Sequence, residues 1–376
     1  MKRLLMILLA ACLLAPAAFA VSPAPENAFD LSADSAILIS QDTGEVLYEK
    51  DAHTPRSPAS VTKIMTLLLI AEAIDGGALR MDDTVTASAE AASMGGSQIW
   101  LEEGETMTVD EMVKCIAVAS ANDCAVAMAE KLAGSEHAFV QKMNERAAAL
   151  GLTETHFLNC TGLTEDPEHH TSAADVAVMS RELLRHAWIR DYTTVWTDTV
   201  RGGEFGLTNT NKLVRFYDGI TGLKTGFTST AMYCLSASAE RNGAGYIAVL
   251  RHAPTSDKRN ADARTLLDYA FASYTLWRPS ANVALPPVPV TLGSAESVQP
   301  VTETDAGVLL ERGGGEIAWE IDLPEQIAAP VSAGERIGTL TVKNDGGTAA
   351  EIALLSSEDV DALSLWEIWG RILLAM

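Results

Sequence analysis

Basic residues are the scarce charged class in this 376-residue chain: 27 Lys and Arg face 50 Asp and Glu, a net charge of −23. That balance excludes nucleic acid and anionic bilayers as electrostatic partners. Cysteine is sparse as well. There are five, with no C-x-x-C, and the seven histidines form no H-E-x-x-H, so no catalytic metal and no cofactor is expected. The pair His169-His170 stands outside any metal-binding spacing. The apolar run Leu4 to Leu14 is too short, and its flanks too rich in small residues, for a comfortable membrane span. Repeats and low-complexity runs are lacking too. What remains is the composition of a folded protein, 48% hydrophobic and 20% charged, in a chain long enough for two domains.

The N-terminus reads as a targeting signal over residues 1–20. Met1-Lys2-Arg3 is a short basic region, Leu4 to Leu14 the apolar region, and Ala18-Phe19-Ala20 a small-x-small cleavage site, giving a mature start near Val21. Leu9-Ala10-Ala11-Cys12 offers a rival lipoprotein cleavage box. Both readings export the protein. Outside the cytoplasm the remaining Cys115, Cys124, Cys160 and Cys234 could pair, but small buried thiols are the simpler expectation.

Periodicity predicts an α+β fold. Ala36 to Ile39 and Val46 to Tyr48 form a hairpin across Asp42-Thr43-Gly44. Helices are expected over Ser60 to Ile74, over Thr108 to Ala133 with a break near Ser120, over His137 to Leu150, and over Ser172 to His186 with Ser172 as N-cap. Met232 to Ala239 and Tyr246 to Leu250 make a second hairpin through Asn242-Gly243, and Asp257 to Tyr274 returns to helix. Helices between an early and a late hairpin imply one antiparallel sheet covered by helices, over residues 28–276. Prolines 279, 286, 287 and 289 mark a linker, and short strands with Gly-rich turns imply a small all-β domain over 283–355, a sandwich. In the tail, residues 358–376, a helix would gather Leu365, Trp366, Ile368, Trp369, Ile372, Leu373 and Met376 on one face. Two tryptophans there suit a peripheral membrane contact, although the polar face of Glu367, Gly370 and Arg371 carries a single basic residue, too little to attract anionic lipid; docking of the apolar face on protein is the alternative.

The chemistry centres on Ser60-Val61-Thr62-Lys63. At i and i+3 the lysine shares a face with the serine, in a first turn whose N–H groups lack helical partners. A lysine desolvated beside Ile64, Met65 and Leu67 loses basicity and can take the hydroxyl proton, while the Ser60 N–H can face an oxyanion. Alone, S-x-x-K is a weak signal. Ser120-Ala121-Asn122 adds a hydroxyl that can relay a proton and an amide that can hold both Lys63 and a substrate carbonyl; a kink or N-cap is the bland alternative. Lys224-Thr225-Gly226 adds positive potential, a hydroxyl for an anionic end group, and room for a substrate backbone, where a surface turn is the bland alternative. S-x-x-K, S-x-N and K-T-G together are the grouping of penicillin-binding proteins and serine β-lactamases.

With these motifs the chain resembles the low-molecular-mass penicillin-binding proteins, D-alanyl-D-alanine carboxypeptidases of the S11 peptidase type, from about Ala36 to Leu355. The resemblance rests on Pro58 to Met65, Ala119 to Asp123, His156 to Asn159 with Gly162-Leu163, and Gly219 to Thr228. It implies a β-lactamase/penicillin-binding-protein-like domain, a small β domain and an amphipathic terminal anchor. It also implies that Ser60 is the nucleophile and Lys63 its base, with Ser120 and Asn122 completing the proton network. Lys224 and Thr225 would hold the terminal carboxylate with help from Arg259, Gly226 would complete the substrate-binding set by letting the substrate backbone approach, and the N–H groups of Ser60 and Phe227 would form the oxyanion hole. Cys160-Thr161 departs from the family's frequent Pro-His, so that loop is given no catalytic role. The implied substrate is a peptidoglycan stem peptide ending in D-Ala-D-Ala, and β-lactams are the implied covalent inhibitors. A D,D-endopeptidase is the nearest alternative. A serine β-lactamase is more distant, because no E-x-x-L-N follows Asn122.

Overall fold

The computed structural model describes residues 21–303, 307–345 and 347–375. The expected leader, residues 1–20, and Met376 of the expected tail helix lie outside them. The chain divides into two compact units, Val21–Thr275 and Leu276–Met376.

The larger unit is built on one five-stranded antiparallel sheet. Its strands are β1 (Ser35–Ser40), β2 (Val46–Lys50), β3 (Ile220–Thr228), β4 (Met232–Arg241) and β5 (Ala244–Ala253), in the order β2-β1-β5-β4-β3. The last hairpin turns on Asn242 and Gly243, both with positive φ (52° and 77°), as a tight two-residue connection requires. β1 is buried along its whole length and β5 at all but one residue, because helices cover both faces. Alternate residues Ile37, Ile39, Ile247 and Val249 join the main core.

That core is filled by helices α1 (Lys63–Asp75), α2 (Val109–Lys114), α3 (Asn122–Ala133), α4 (Glu136–Ala149) and α5 (Ala173–Arg185); α6 (Ser256–Ser273) follows the sheet. Their starts are set by side chains. Thr108 and Glu111 form a capping box on α2, and Ser135, Ser172 and Thr255 each accept the N–H three residues on. Two expectations are refined. The segment expected as helix from Ser60 begins instead as a 3-10 turn, Ala59–Thr62, and α1 starts at Lys63. The region Thr108 to Ala133 is interrupted by a π-helical turn, Cys115–Ala119, and ends on Ser120 in the left-handed conformation (φ 63°, ψ 30°) before α3 begins.

The smaller unit contains short strands in two main sheets. One joins β6 (Val288–Thr291) to β7 (Ser297–Val298) and β10 (Ile327–Ala328); the other orders β8 (Pro300–Thr302), β12 (Gly347–Ser356), β11 (Arg336–Asn344) and β9 (Ala318–Asp322). Leu340, Val342, Ile352 and Leu354 form one small core, and Val288, Val290, Val298 and Val360 another. The unit ends in α7 (Leu365–Ala375), on which Leu365, Trp366, Trp369, Ile372 and Leu373 are exposed. Among the described residues no helix is long and apolar enough to cross a membrane.

Candidate active site

A lysine that opens an apolar helix needs a partner for its amine. Lys63 is fully buried, and its Nζ lies 3.0 Å from Ser60 Oγ and 2.8 Å from the Thr161 carbonyl oxygen. The 3-10 turn matters here, since i and i+3 side chains eclipse in that geometry and bring amine and hydroxyl together. Burial pushes the Lys63 amine down from 10.5 to about 7, against smaller opposing effects of Cys160 and Asp123. A neutral amine at hydrogen-bond distance from a serine hydroxyl can act as its base.

Ser60 follows Ala59, whose φ of +48° is unusual for a residue with a side chain. Gly162 makes room for this turn. A Cβ on Gly162 would stand 1.8 Å from the Ala59 carbonyl oxygen, and its φ of +78° is a glycine conformation.

Ser120 and Asn122 sit where the π turn gives way to α3 and are nearly inaccessible, at 3% and 2% exposure. Neither Ser120 Oγ nor Asn122 Oδ1 has a hydrogen-bond partner among the described residues, an uncommon state for buried polar atoms and frequent at functional sites. The Asn122 backbone N–H donates to Ser97 O (2.7 Å), and its side-chain NH2 donates to Gly95 O (2.7 Å). Asp123 accepts the N–H groups of Ile99 (3.0 Å) and Leu101 (3.1 Å), so the loop 95–101 is laced to this motif. The amide expected to hold Lys63 is thus bonded to Gly95, and the Thr161 carbonyl holds the amine instead.

Lys224, Thr225 and Gly226 lie on β3, an edge strand, and not in a surface turn. Lys224 is 1% exposed and donates to the Thr225 carbonyl at 3.0 Å. Burial, then the nearby charges of Lys63 and Arg259, lower its pKa well below the usual lysine value. The Thr225 hydroxyl donates to Thr210 Oγ1 at 2.7 Å. A Cβ on Gly226 would lie 2.8 Å from Pro58 O and 3.1 Å from both Ala59 Cβ and Ser60 N. Only glycine lets the edge strand approach the Ser60 turn this closely. Phe227 is half exposed and stacks on Tyr233, with ring centroids 4.4 Å apart.

Arg259, on α6, is buried and donates to Cys234 O (3.2 Å) and to Asn260 Oδ1 (3.1 and 2.9 Å). Cys234 pairs with Gly226 across β3 and β4, so the guanidinium sits behind the K-T-G segment. Its pKa is lowered to about 10, chiefly by burial. Three buried basic side chains, Lys63, Lys224 and Arg259, thus gather in a strongly acidic protein, with burial disfavouring the charged form of each.

The sequence reading missed several supporting groups. Thr161 acts through a backbone carbonyl, which no side-chain motif announces, and Thr210 and His169 come from distant segments. Arg251 is fully buried and donates to the carbonyl oxygens of Thr171, Arg56 and Ser57 (2.7 Å), just ahead of Ser60. Cys115, Cys124, Cys160 and Cys234 are all free and buried.

Comparison with known proteins follows the same outline. Residues 19–255 match the family described as D-alanyl-D-alanine carboxypeptidase, and residues 280–362 match the C-terminal domain of penicillin-binding protein 5. The chain is 45% identical to the D-alanyl-D-alanine carboxypeptidase DacF of Bacillus subtilis, over 96% of this chain and 95% of that one. It is 30% identical to DacD of Escherichia coli, over 92% and 90%. Penicillin-binding protein 5 from Haemophilus influenzae superimposes with a TM-score of 0.76 at 27% identity, covering 91% of this chain and 99% of that one. The ampicillin-bound form of penicillin-binding protein D2 from Listeria monocytogenes gives a TM-score of 0.59 at 31% identity, over 65% and 99%.

Proposed function

The chain belongs to the D-alanyl-D-alanine carboxypeptidase family and is a hydrolase of that kind, and from this premise we propose that Ser60 carries the reaction as an acyl-enzyme. The observation that carries the proposal is the contact of a fully buried, weakened amine with the Ser60 hydroxyl, beside a glycine-lined edge strand.

The terminal D-alanine of a peptidoglycan stem peptide lies along β3 as an added strand. Its carboxylate meets Thr225 and the positive charge of Lys224, backed by Arg259. An arriving carboxylate favours the ammonium form of Lys224. Ser60 Oγ attacks the carbonyl carbon of the penultimate residue, and Lys63 takes the hydroxyl proton. The N–H groups of Ser60 and Phe227 face the resulting oxyanion. The C–N bond breaks, the proton passes by way of Lys63 and Ser120 to the leaving amine, and D-alanine departs. Asn122 holds the substrate carbonyl. Water then hydrolyses the Ser60 ester. β-Lactams, which carry a comparable carboxylate and a reactive amide, acylate Ser60, in keeping with the ampicillin-bound relative.

The protein works outside the cytoplasm, exported by the leader at residues 1–20, and α7 holds it at a membrane surface. At about 1.5 Å per residue, 11 residues reach only about 16 Å, so the helix would lie in the interface and not cross it.

The test is mass spectrometry with a labelled penicillin and a diacyl-D-Ala-D-Ala peptide. The expected result is an adduct on Ser60, release of free D-alanine, and loss of both in Ser60→Ala. An adduct elsewhere, or rapid penicillin turnover with no D-alanine released, overturns the proposal.

A further inference from the structure

The pair His169-His170 belongs to no metal-binding pattern, yet His169 is fully buried, and its position relative to Ser60 is informative. The Leu158 N–H donates to His169 Nδ1 at 2.9 Å, so Nδ1 is unprotonated and the proton of the neutral ring is on Nε2. Nε2 lies 2.8 Å from Thr62 Oγ1 and therefore donates to it. That leaves the single Thr62 proton for the Ala59 carbonyl oxygen, also at 2.8 Å. The donor directions are fixed from end to end: Leu158 N–H to His169, His169 to Thr62, Thr62 to Ala59 O.

The Ala59 carbonyl and the Ser60 N–H are opposite ends of one planar peptide unit. A hydrogen bond to the carbonyl end fixes the tilt of the plane and, by polarising the amide, strengthens the N–H as a donor. The unit needs such a restraint because Ala59 is held at φ +48°. The missing Cβ of Gly162, which would otherwise press on Ala59 O and Thr62 Oγ1, leaves space for the chain.

We infer that His169 is a positioning residue for acyl transfer, acting through Thr62 to orient and polarise the Ala59–Ser60 peptide whose N–H faces the developing oxyanion. The inference rests on the reading of Ser60 as nucleophile. Burial, assisted by the charges of His156, His170 and Arg251 and opposed by Asp166, holds the ring neutral by lowering its pKa to about 4.

The experiment measures noncovalent affinity and the acylation rate constant separately, with a fluorescent penicillin and full-length protein. His169→Asn keeps an acceptor at the Nδ1 position but cannot reach Thr62, whereas His169→Gln keeps a donor at the Nε2 position. Loss of an oxyanion-hole donor costs about 100- to 1000-fold, so loss of its positioning chain is expected to cost about 10- to 100-fold. That loss should fall on the rate constant in His169→Asn and in Thr62→Val, with affinity within about threefold, while His169→Gln and Thr62→Ser stay within about fivefold of the parent. The double variant Thr62→Val/His169→Asn should be no slower than Thr62→Val alone. Parental rates in Thr62→Val, equal losses in the Asn and Gln variants, or losses that multiply in the double variant would overturn the inference. If His169→Asn does not fold, the Thr62 pair decides alone. Absence of a Ser60 adduct in the parent protein would instead overturn the underlying reading of the site.

Discussion

The burial of Lys63 leads to a quantitative expectation for acylation as a function of pH. Its amine is shifted from 10.5 to about 7, which corresponds to about 5 kcal/mol against the charged form. At pH 7 about half of the molecules then carry a neutral amine beside Ser60, where an ordinary lysine would offer about one in three thousand. The protein environment thus raises the reactive fraction on the order of a thousandfold. With the neutral form as the proposed base, the rate is expected to rise as protons leave. Measured by stopped flow at saturating fluorescent penicillin from pH 5.5 to 9.5, the logarithm of the acylation rate constant should climb with unit slope below about pH 7. It should level off above that point. Lys63→Arg keeps the charge but does not deprotonate, and should fall by about 100- to 10,000-fold throughout. A flat profile, a midpoint near 10, or an active Lys63→Arg would refute the assignment of the buried amine as base.

Other substitutions separate chemistry from stability. Ser120→Ala removes a buried hydroxyl that has no partner among the described residues, so thermal midpoint should hold or rise while turnover of a D-Ala-D-Ala peptide falls about 100-fold or more. Gly226→Ala places a methyl 2.8 Å from Pro58 O and should push β3 away from Ser60, with acylation falling about 100-fold and far-ultraviolet circular dichroism unchanged. Arg251→Met leaves the Ser57 carbonyl without its donor, at about 1–3 kcal/mol, and takes a second donor from the Arg56 and Thr171 carbonyls, which keep each other's N–H; equilibrium denaturation should register the loss. Truncation after Ser357 removes the exposed face of Trp366 and Trp369, and flotation on liposomes should drop relative to the full chain; equal flotation would reject the anchor.

Much of this architecture is determined by local sequence. The break at Ser120 follows from the poor helix propensity of Ser and Asn, the caps at Ser172 and Thr108 from side-chain oxygens three residues before free N–H groups, and the hairpin at Asn242-Gly243 from residues that tolerate positive φ. S-x-x-K, S-x-N and K-T-G were legible for the same reason: each is a short run whose chemistry resides in its own side chains. Tertiary structure alone decided what those runs touch. The 3-10 geometry at Ala59–Thr62, the Thr161 carbonyl on Lys63, the Gly95 carbonyl on Asn122 and the buried His169 all bring together residues far apart in the chain or use backbone groups common to every residue. The weakened basicity of Lys63 has the same origin. Its motif says that an amine is present, but only packing against the surrounding core removes water from it, and that desolvation sets its charge.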